Sequence, residues 1–435
     1  MELLLRGGLC VDARAGLPEP VPLDVVIEDG YIKGLRAPGL AEDNGAKTID
    51  LHGKFIVPGL MDMHVHLRDP GQEYKEDIVS GTRAAAMGGF TAVLAMPNTQ
   101  PVIDNGAQVR YVLEKAKDHA WARVYTTGSI TLGQKGEALA EMADMARAGA
   151  VAFTDDGRGV QDSGLMRLAM DYLAGLEKPL LSHCQVEDLV GSGQVNEGVM
   201  STRLGLTGWP AAGEEVQIAR DIALAELTGA SLHIQHLSTK KGLELVREAK
   251  LKGLPVTCEA SPHHLFLDES ALDEHYDTNL KMNPPLRTAL DASALRAGLI
   301  EGVVDCIATD HAPHASHEKM LEFEIAPFGV TGLETALGLV LTELVNTGEM
   351  TLATLVERMS HKPREILNIA DVSLSAGSFA DLTVIDLDKK WIVSADSFTS
   401  KSNNNAFIGF ELQGKASDVF IAGAQTLENG VLHEK

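Results

Sequence analysis

The segment Asp62-Met63-His64-Val65-His66-Leu67-Arg68, at the end of the apolar run Phe55–Leu60, decides how this chain is read. Side chains alternate along a strand, so His64 and His66 point to the same side. Two neutral imidazoles on one face at a strand end suit a divalent metal. The plainer alternative is a buried pair satisfied by backbone groups. By the same count Arg68 shares that face. An unpaired guanidinium there would be costly unless a substrate brought a carboxylate, which Arg grips through two parallel hydrogen bonds.

Working outward, metal-ligating residue types recur where other short apolar strands give way to loops. Ala150–Thr154 ends in Asp155-Asp156-Gly157, and Pro179–Ser182 ends in His183. Ser231–Gln235 ends in His236, and Val304–Thr309 ends in Asp310-His311-Ala312-Pro313-His314. Thr91–Met96, Arg123–Thr127 and Val256–Ala260 supply three more strands. Between the strands the apolar period changes to that of helices: Glu73–Met87, Asn105–His119, Lys135–Ala148, Ser163–Leu176, Glu214–Thr228, Lys240–Lys252 and Thr288–Ile300. Eight strands alternating with helices predict an α/β fold with a parallel sheet closed into a (β/α)8 TIM barrel. Such barrels gather catalytic groups at the C-terminal ends of their strands, where all these candidates fall.

The chain ends read differently. Leu3-Leu4-Leu5, Val25-Val26-Ile27 and Tyr31-Ile32-Lys33 are short apolar runs, the last two separated by an Asp29-Gly30 hairpin cue. Strand patterns return in Ala380–Asp386 and Val419–Gly423. Neither block can bury a core alone, so both chain ends are expected to form one small β-sandwich. The expected divisions are 1–57 and 375–435 for the sandwich and 58–374 for the barrel.

Lys plus Arg total 37 against 61 Asp plus Glu, a net charge of −24. That balance repels nucleic acid and anionic lipid. No stretch reaches the roughly 18 apolar residues of a spanning helix. Met1-Glu2-Leu3-Leu4-Leu5 lacks the basic start of a signal peptide. Cys10, Cys184, Cys258 and Cys306 contain no Cys-x-x-Cys pair and read as reduced. The expectation is a cytoplasmic enzyme without nucleic-acid or membrane partners.

Several stretches resemble class I dihydroorotases of the amidohydrolase superfamily: Val57–Arg68, Ala95-Met96-Pro97-Asn98-Thr99, Phe153–Gly157, Ser182-His183-Cys184, His236–Thr239, Ser261–Leu265, Lys281-Met282-Asn283-Pro284-Pro285-Leu286-Arg287 and Ala308–His314. The resemblance implies two Zn2+ per subunit. His64, His66 and Asp310 would bind the first, His183 and His236 the second, and Asp156 would bridge them. Many relatives bridge with a carboxylated Lys at the fourth strand; none is present here, and Asp156 is favoured over Asp155 by its spacing to His183. The resemblance also implies reversible cyclisation of N-carbamoyl-L-aspartate to (S)-dihydroorotate in pyrimidine biosynthesis. A hydroxide held between the metals would attack the ring amide while Asp310 carries the proton. His66, Arg68, Asn98, Asn283 and His314 would contact substrate, with Phe328 and Gly329 lining the pocket through backbone groups. A homodimer and association with aspartate transcarbamoylase are further implications.

Bland readings apply to other histidines. His263 and His264 read as packing or hydrogen-bonding residues, His311 and His317 as solvated loop residues, and His233, on the strand face opposite His236, as structural. Three other functions fit parts of the pattern: a different cyclic amidase (dihydropyrimidinase, hydantoinase or allantoinase), a silent scaffolding homologue, and a mononuclear deaminase. Arg68 with Asn98 argues against the first, the full ligand set against the second, and the Asp at strand four against the third.

Overall fold

A computed structural model describes residues 2–41 and 45–433; Met1, part of the signal-peptide reading, lies outside them. The chain opens with β1 (Glu2–Asp12), β2 (Leu17–Glu28), β3 (Tyr31–Arg36), β4 (Lys47–Asp50) and β5 (Phe55–Pro58). Between β2 and β3, Asp29 and Gly30 both take positive φ, 51° and 84°, the tight turn that the sequence cue requires. β1 is antiparallel to β2 and parallel to both β4 and β5.

The apolar run Phe55–Leu60 is not one strand. It divides at Gly59, with β5 in the outer sheet and β6 (Leu60–Val65) opening the barrel. Gly59 donates to the Asp381 carbonyl at 2.8 Å, and a Cβ there would lie 2.2 Å from the Thr91 hydroxyl. Only glycine lets the chain pass between the sheets at that point.

The barrel then alternates strand and helix: α1 (Ile78–Met87), β7 (Phe90–Ala95), α2 (Gly106–His119), β8 (Arg123–Gly128), α3 (Met142–Ala148), β9 (Ala152–Phe153), α4 (Ser163–Gly175) and β10 (Leu180–Ser182). A short excursion, β11 (Val195–Asn196) paired with β12 (Gly208–Trp209), precedes α5 (Ala212–Thr228). β13 (Leu232–Ile234), α6 (Lys240–Leu251), β14 (Val256–Ala260), α7 (Ala289–Glu301), β15 (Cys306–Ile307) and α8 (Leu333–Val340) complete the eightfold pattern. The eight strands pair in sequence order, and a parallel bridge from Val65 to His311 joins first to last. The expected α/β barrel is the observed fold.

Two helices start later than their apolar period suggests. α1 begins at Ile78, because the Asp77 side chain accepts from the Ser80 N–H in a capping box. α3 begins at Met142; upstream, Leu132 N–H bonds Ala138 and Ala140 N–H bonds Ile130, holding a loop in place of the first helical turns. Along β7 alternate residues divide between two clusters: Ala92 and Leu94, with Met96 just beyond the strand, join Met61, Met63, Leu181 and Cys306, whereas Val93 and Ala95 pack with Leu180 and Ile234. This is the period-two division of a sheet buried on both faces.

The chain closes with β16 (Leu382–Ile392), β17 (Glu411–Ile421), β18 (Ala424–Glu428) and β19 (Val431–Leu432). β16 runs antiparallel to β5, so both chain ends share one mixed sheet. Leu5, Val25, Ile27 and Ile56 from one end pack with Leu382, Val384 and Phe420 from the other. The connection from β16 to β17 leaves this sheet and meets the barrel: buried Asn404 accepts from the His314 N–H at 3.1 Å and donates to the Gly329 carbonyl at 3.1 Å. The four cysteines are buried and unpaired. Among the described residues no helix is long and apolar enough to cross a membrane.

Candidate active site

The candidate ligands converge at one end of the barrel. His64 Nε2 lies 3.4 Å from Asp156 Oδ1 and 3.4 Å from Asp310 Oδ1; His66 Nε2 lies 3.0 Å from Asp310 Oδ1 and 3.5 Å from Asp156 Oδ2. On the other side of Asp156, His183 Nδ1 and His236 Nε2 stand 3.4 and 3.6 Å from its Oδ1, and 2.9 Å from each other. Asp156 therefore sits between two groups of donors. Asp155 faces away and accepts from the Ile130 N–H, the Thr131 N–H and the Thr131 hydroxyl; burial pushes its carboxyl up to about 6.

The outer ring nitrogens are held by acceptors. His64 Nδ1 donates to Glu259 Oε1 at 2.6 Å, His66 Nδ1 to Asn98 Oδ1 at 2.8 Å and His183 Nε2 to Gln185 Oε1 at 3.0 Å. Each bond fixes the proton on the outer nitrogen and turns the inner lone pair toward Asp156, as metal-binding imidazoles require. Burial opposes charge on Glu259, but His64 and His233 outweigh it and hold the carboxyl down to about 2. Burial likewise opposes charge on Asp156 and Asp310, yet His64 foremost, with His183 and His236 or His66, keeps both below the usual carboxylate range. His64 is driven the other way, above its ordinary value despite burial, by Asp156, Glu259 and Asp310.

This cluster fits a metal. His64 Nε2 and Asp156 Oδ1 are buried without a hydrogen-bond partner among the described residues. A buried imidazole nitrogen facing a buried carboxylate oxygen, neither bonded, is costly unless a cation lies between them. Donor atoms of His64, Asp156 and His236 lie close enough to share one ion, as do those of His64, His66 and Asp310. In a third close group, His233, Glu259 and Cys306, His233 already donates to Glu259 at 3.1 Å and the Cys306 thiol to the Met63 sulfur.

A cavity of about 250 Å³ opens onto the cluster, and His66, Arg68, Asn98, Asn283, His314, Phe328 and Gly329 all line it. Arg68 arrives there by a route the sequence does not reveal. β6 ends at Val65, and Arg68 takes φ 57°, so it leaves the strand face and enters from the loop. His236 and Asp310 also have left-handed backbones, φ 30° and 48°. Such conformations cost non-glycine residues on the order of 1–3 kcal/mol each and cluster at functional sites. Arg68 is buried; its Nε donates to the Pro313 carbonyl at 3.2 Å, and its Nη2 lies 3.4 Å from His314 Nε2. Among the described residues it has no ion pair.

Other predicted site residues already have partners within the chain. Asn98 is already engaged at both ends, accepting from His66 and donating to Asp156 Oδ2 at 3.2 Å. The Gly329 N–H bonds the Lys281 carbonyl, and the Gly329 carbonyl takes Lys319 and Asn404. The Phe328 carbonyl accepts from His314. These backbone groups line the cavity without being free in it. Gly329 has φ 129°, and a Cβ there would lie 2.8 Å from the Ala312 Cβ, so no side chain fits. His311 is not solvated: it is buried between Glu76 Oε2 and the Gly332 N–H. His317 is exposed, as expected. His264 donates to the Pro284 carbonyl, and His263 packs against it, pushed down to about 4 by burial.

The chain is 50% identical to a dihydroorotase of Trichlorobacter lovleyi over 423 residues, which covers 97% of this chain and 98% of that relative. A dihydroorotase of Geobacter metallireducens is also 50% identical, covering 97% of this chain and 99% of the relative. The chain belongs to the dihydroorotase family. A profile of the Dihydro-orotase-like family matches residues 53–242. Among solved structures, an L-hydantoinase from Arthrobacter aurescens superposes with a TM-score of 0.89 at 25% identity, covering 100% of this chain and 97% of that one.

Two residues of this dihydroorotase-family site escaped the sequence reading. Glu259 left a signal, being the one charged residue in the strand run Val256–Ala260. Gln185 left none: it lies in a loop beyond His183, yet its carbonyl oxygen accepts from both His183 and Asn283.

Proposed function

We propose that this chain is a dihydroorotase, closing N-carbamoyl-L-aspartate to (S)-dihydroorotate and reopening it. Arg68 carries the reading. It is a buried guanidinium on a cavity wall, without an ion pair among the described residues, in a chain half identical to dihydroorotases. A substrate carboxylate answers that charge. Two zinc ions suit the donor set, one held by His64, His66 and Asp310, the other by His183 and His236, with Asp156 shared. When bound, such metals polarise a carbonyl and lower the pKa of water toward neutrality.

The chain's own groups do the rest. Arg68 grips the carboxylate, and the Nε2–H of His314, which bonds the Phe328 carbonyl in the unliganded chain, is shared with it, with the Asn98 amide beside them. Asn283 Oδ1 is buried without a partner among the described residues while its Nδ2 bonds Gln185 at 3.0 Å; that oxygen accepts a ring N–H. Asp310 takes the proton of the attacking water at a carboxylate oxygen and returns it to the leaving ring nitrogen. Residues 58–374 act as the catalytic barrel, with 1–57 and 375–435 as the flanking sandwich. Cytoplasmic action, a homodimer and association with aspartate transcarbamoylase belong to the same reading.

A hydantoinase is the second reading, favoured by the likeness to L-hydantoinase. An uncharged hydantoin would leave Arg68 without a counter-charge. Purified protein assayed on dihydroorotate, hydantoin, dihydrouracil and allantoin, with metal content measured on the same sample, separates the two. Dihydroorotate should be preferred with two metals per chain; a preference for hydantoin overturns the proposal.

A further inference from the structure

His314 is held between groups whose hydrogen-bonding character is fixed. Its Nε2 lies 2.8 Å from the Phe328 carbonyl oxygen, which can only accept, so Nε2 carries the proton. Its Nδ1 lies 3.3 Å from Lys75 Nζ, whose ammonium can only donate, so Nδ1 presents its lone pair. Lys75 is itself tied down. It is buried, its ammonium meets Glu318 Oε1 at 2.9 Å, and its carbonyl accepts from Ser402 at 2.8 Å. It reaches His314 because the stretch before Asp77, read as helix from the sequence, is not helical.

The alternative state of the ring is equally defined. Glu318 Oε2 stands 3.6 Å from His314 Nδ1, and Arg68 Nη2 stands 3.4 Å from Nε2. Without Lys75, the Phe328 carbonyl alone would hold the proton on Nε2, and Glu318 would compete for it at Nδ1, with Nε2 then free to accept from Arg68. The charged groups around the ring are therefore Arg68, Lys75, Lys319 and Glu318. Burial first, then the three cations, push the imidazole down to about 2, so it stays neutral.

We propose that Lys75 is a positioning residue that helps the Phe328 carbonyl hold His314 as the neutral Nε2–H tautomer, so that this N–H, bonded to the carbonyl in the unliganded chain, can be shared with substrate beside Arg68. The last clause rests on the dihydroorotase reading; the tautomer does not.

The test is a 15N spectrum of histidine-labelled enzyme without substrate, His314 being assigned by the signals lost in His314→Gln. The wild type should show Nδ1 in the lone-pair range and Nε2 in the proton-bearing range. In Lys75→Met the assignment should reverse or average. The KM for dihydroorotate should rise about tenfold, the scale of one lost hydrogen bond to a charged group. The effect on kcat should be much smaller, with metal content unchanged. Lys75→Gln, whose amide still donates to Nδ1, should restore the tautomer and most of the KM. A wild-type spectrum with the proton on Nδ1 overturns the proposal. So does a Lys75→Met enzyme with unchanged tautomer and KM. Should Lys75→Met not fold, the wild-type spectrum and Lys75→Gln decide, a reversed tautomer in either being fatal. A preference for hydantoin would overturn the dihydroorotase reading and leave the tautomer assignment standing.

Discussion

Replacing Arg68 with Met removes a charge and little volume, and its consequences for binding and stability run in opposite directions. The guanidinium is only 8% exposed, so solvent screens it weakly. Losing one partner of a buried charge pair costs about 2–5 kcal/mol. At about 1.4 kcal/mol per factor of ten, kcat/KM for dihydroorotate should fall roughly 30- to 4,000-fold. In the unliganded protein the same substitution removes one hydrogen bond, from Nε to the Pro313 carbonyl, worth about 1 kcal/mol. It also removes a buried cation without an ion pair among the described residues, whose desolvation costs several kcal/mol. Thermal stability should therefore hold or rise while activity collapses. Steady-state kinetics on dihydroorotate and on uncharged dihydrouracil, a melting curve and metal content together give the answer. Equal loss on both substrates, or a clear drop in Tm with loss of metal, would refute carboxylate recognition and make Arg68 a structural residue.

Asp156→Ala should lose at least one metal and most activity. Asp155→Ala should keep both metals and lower Tm, because the Ile130 and Thr131 N–H groups lose their acceptor at about 1–3 kcal/mol each; the opposite pattern of metal loss reverses the assignment. Asp310→Asn retains an oxygen ligand but cannot carry a proton, so kcat should fall by roughly 100-fold or more, and near-normal turnover removes Asp310 from the chemistry. Glu259→Gln leaves the cavity lining untouched yet should weaken metal binding or activity by about 10- to 100-fold through His64; unchanged metal affinity in a chelator titration would contradict this. His361 bonds Asp12 at 3.2 Å and Asp371 at 2.9 Å, and these carboxylates raise its pKa despite burial. Its contribution to stability is thus complete below about pH 6.5 and lost as pH rises through the raised folded value. The depressed pKa of Asp12 gives a contribution present above about pH 3.9 and lost in acid. Tm measured against pH should fall less on the alkaline side in His361→Asn than in wild type; parallel curves would rule the link out.

The barrel was legible because each of its strands is a short apolar run bounded by loops, and because ligand residue types close five of them. Alternation fails once a strand ends. It put Arg68 on the face of His64, whereas the left-handed turn at Arg68 sends it in from the loop. For the same reason no face rule separates Asp155 from Asp156, adjacent residues beyond β9; the Thr131 and Ile130 donors that claim Asp155 come from a loop that sequence pattern reads as irregular. The partnership of Glu259 with His64 joins strands far apart in the chain and has no local periodic trace. Gly59 was quoted as part of a motif, but its contact with Thr91 depends on where two sheets meet, which only the assembled fold defines.

The pairing of β5 with β16 has a consequence for how the protein is made. Pro58 faces Leu382 and Phe55 faces Ile385, so the last strand of the first block waits for a partner about 320 residues further on. At roughly 5–20 residues per second, translation delivers that partner on the order of 15–60 s later. Through that interval Leu5, Val25 and Ile27 lack the Leu382, Val384 and Phe420 side chains that cover them in the finished fold. The ribosome thus supplies this molecule in an order opposed to its outer architecture: the first strands synthesised are among the last to be covered, and the entire barrel can emerge between them and their cover.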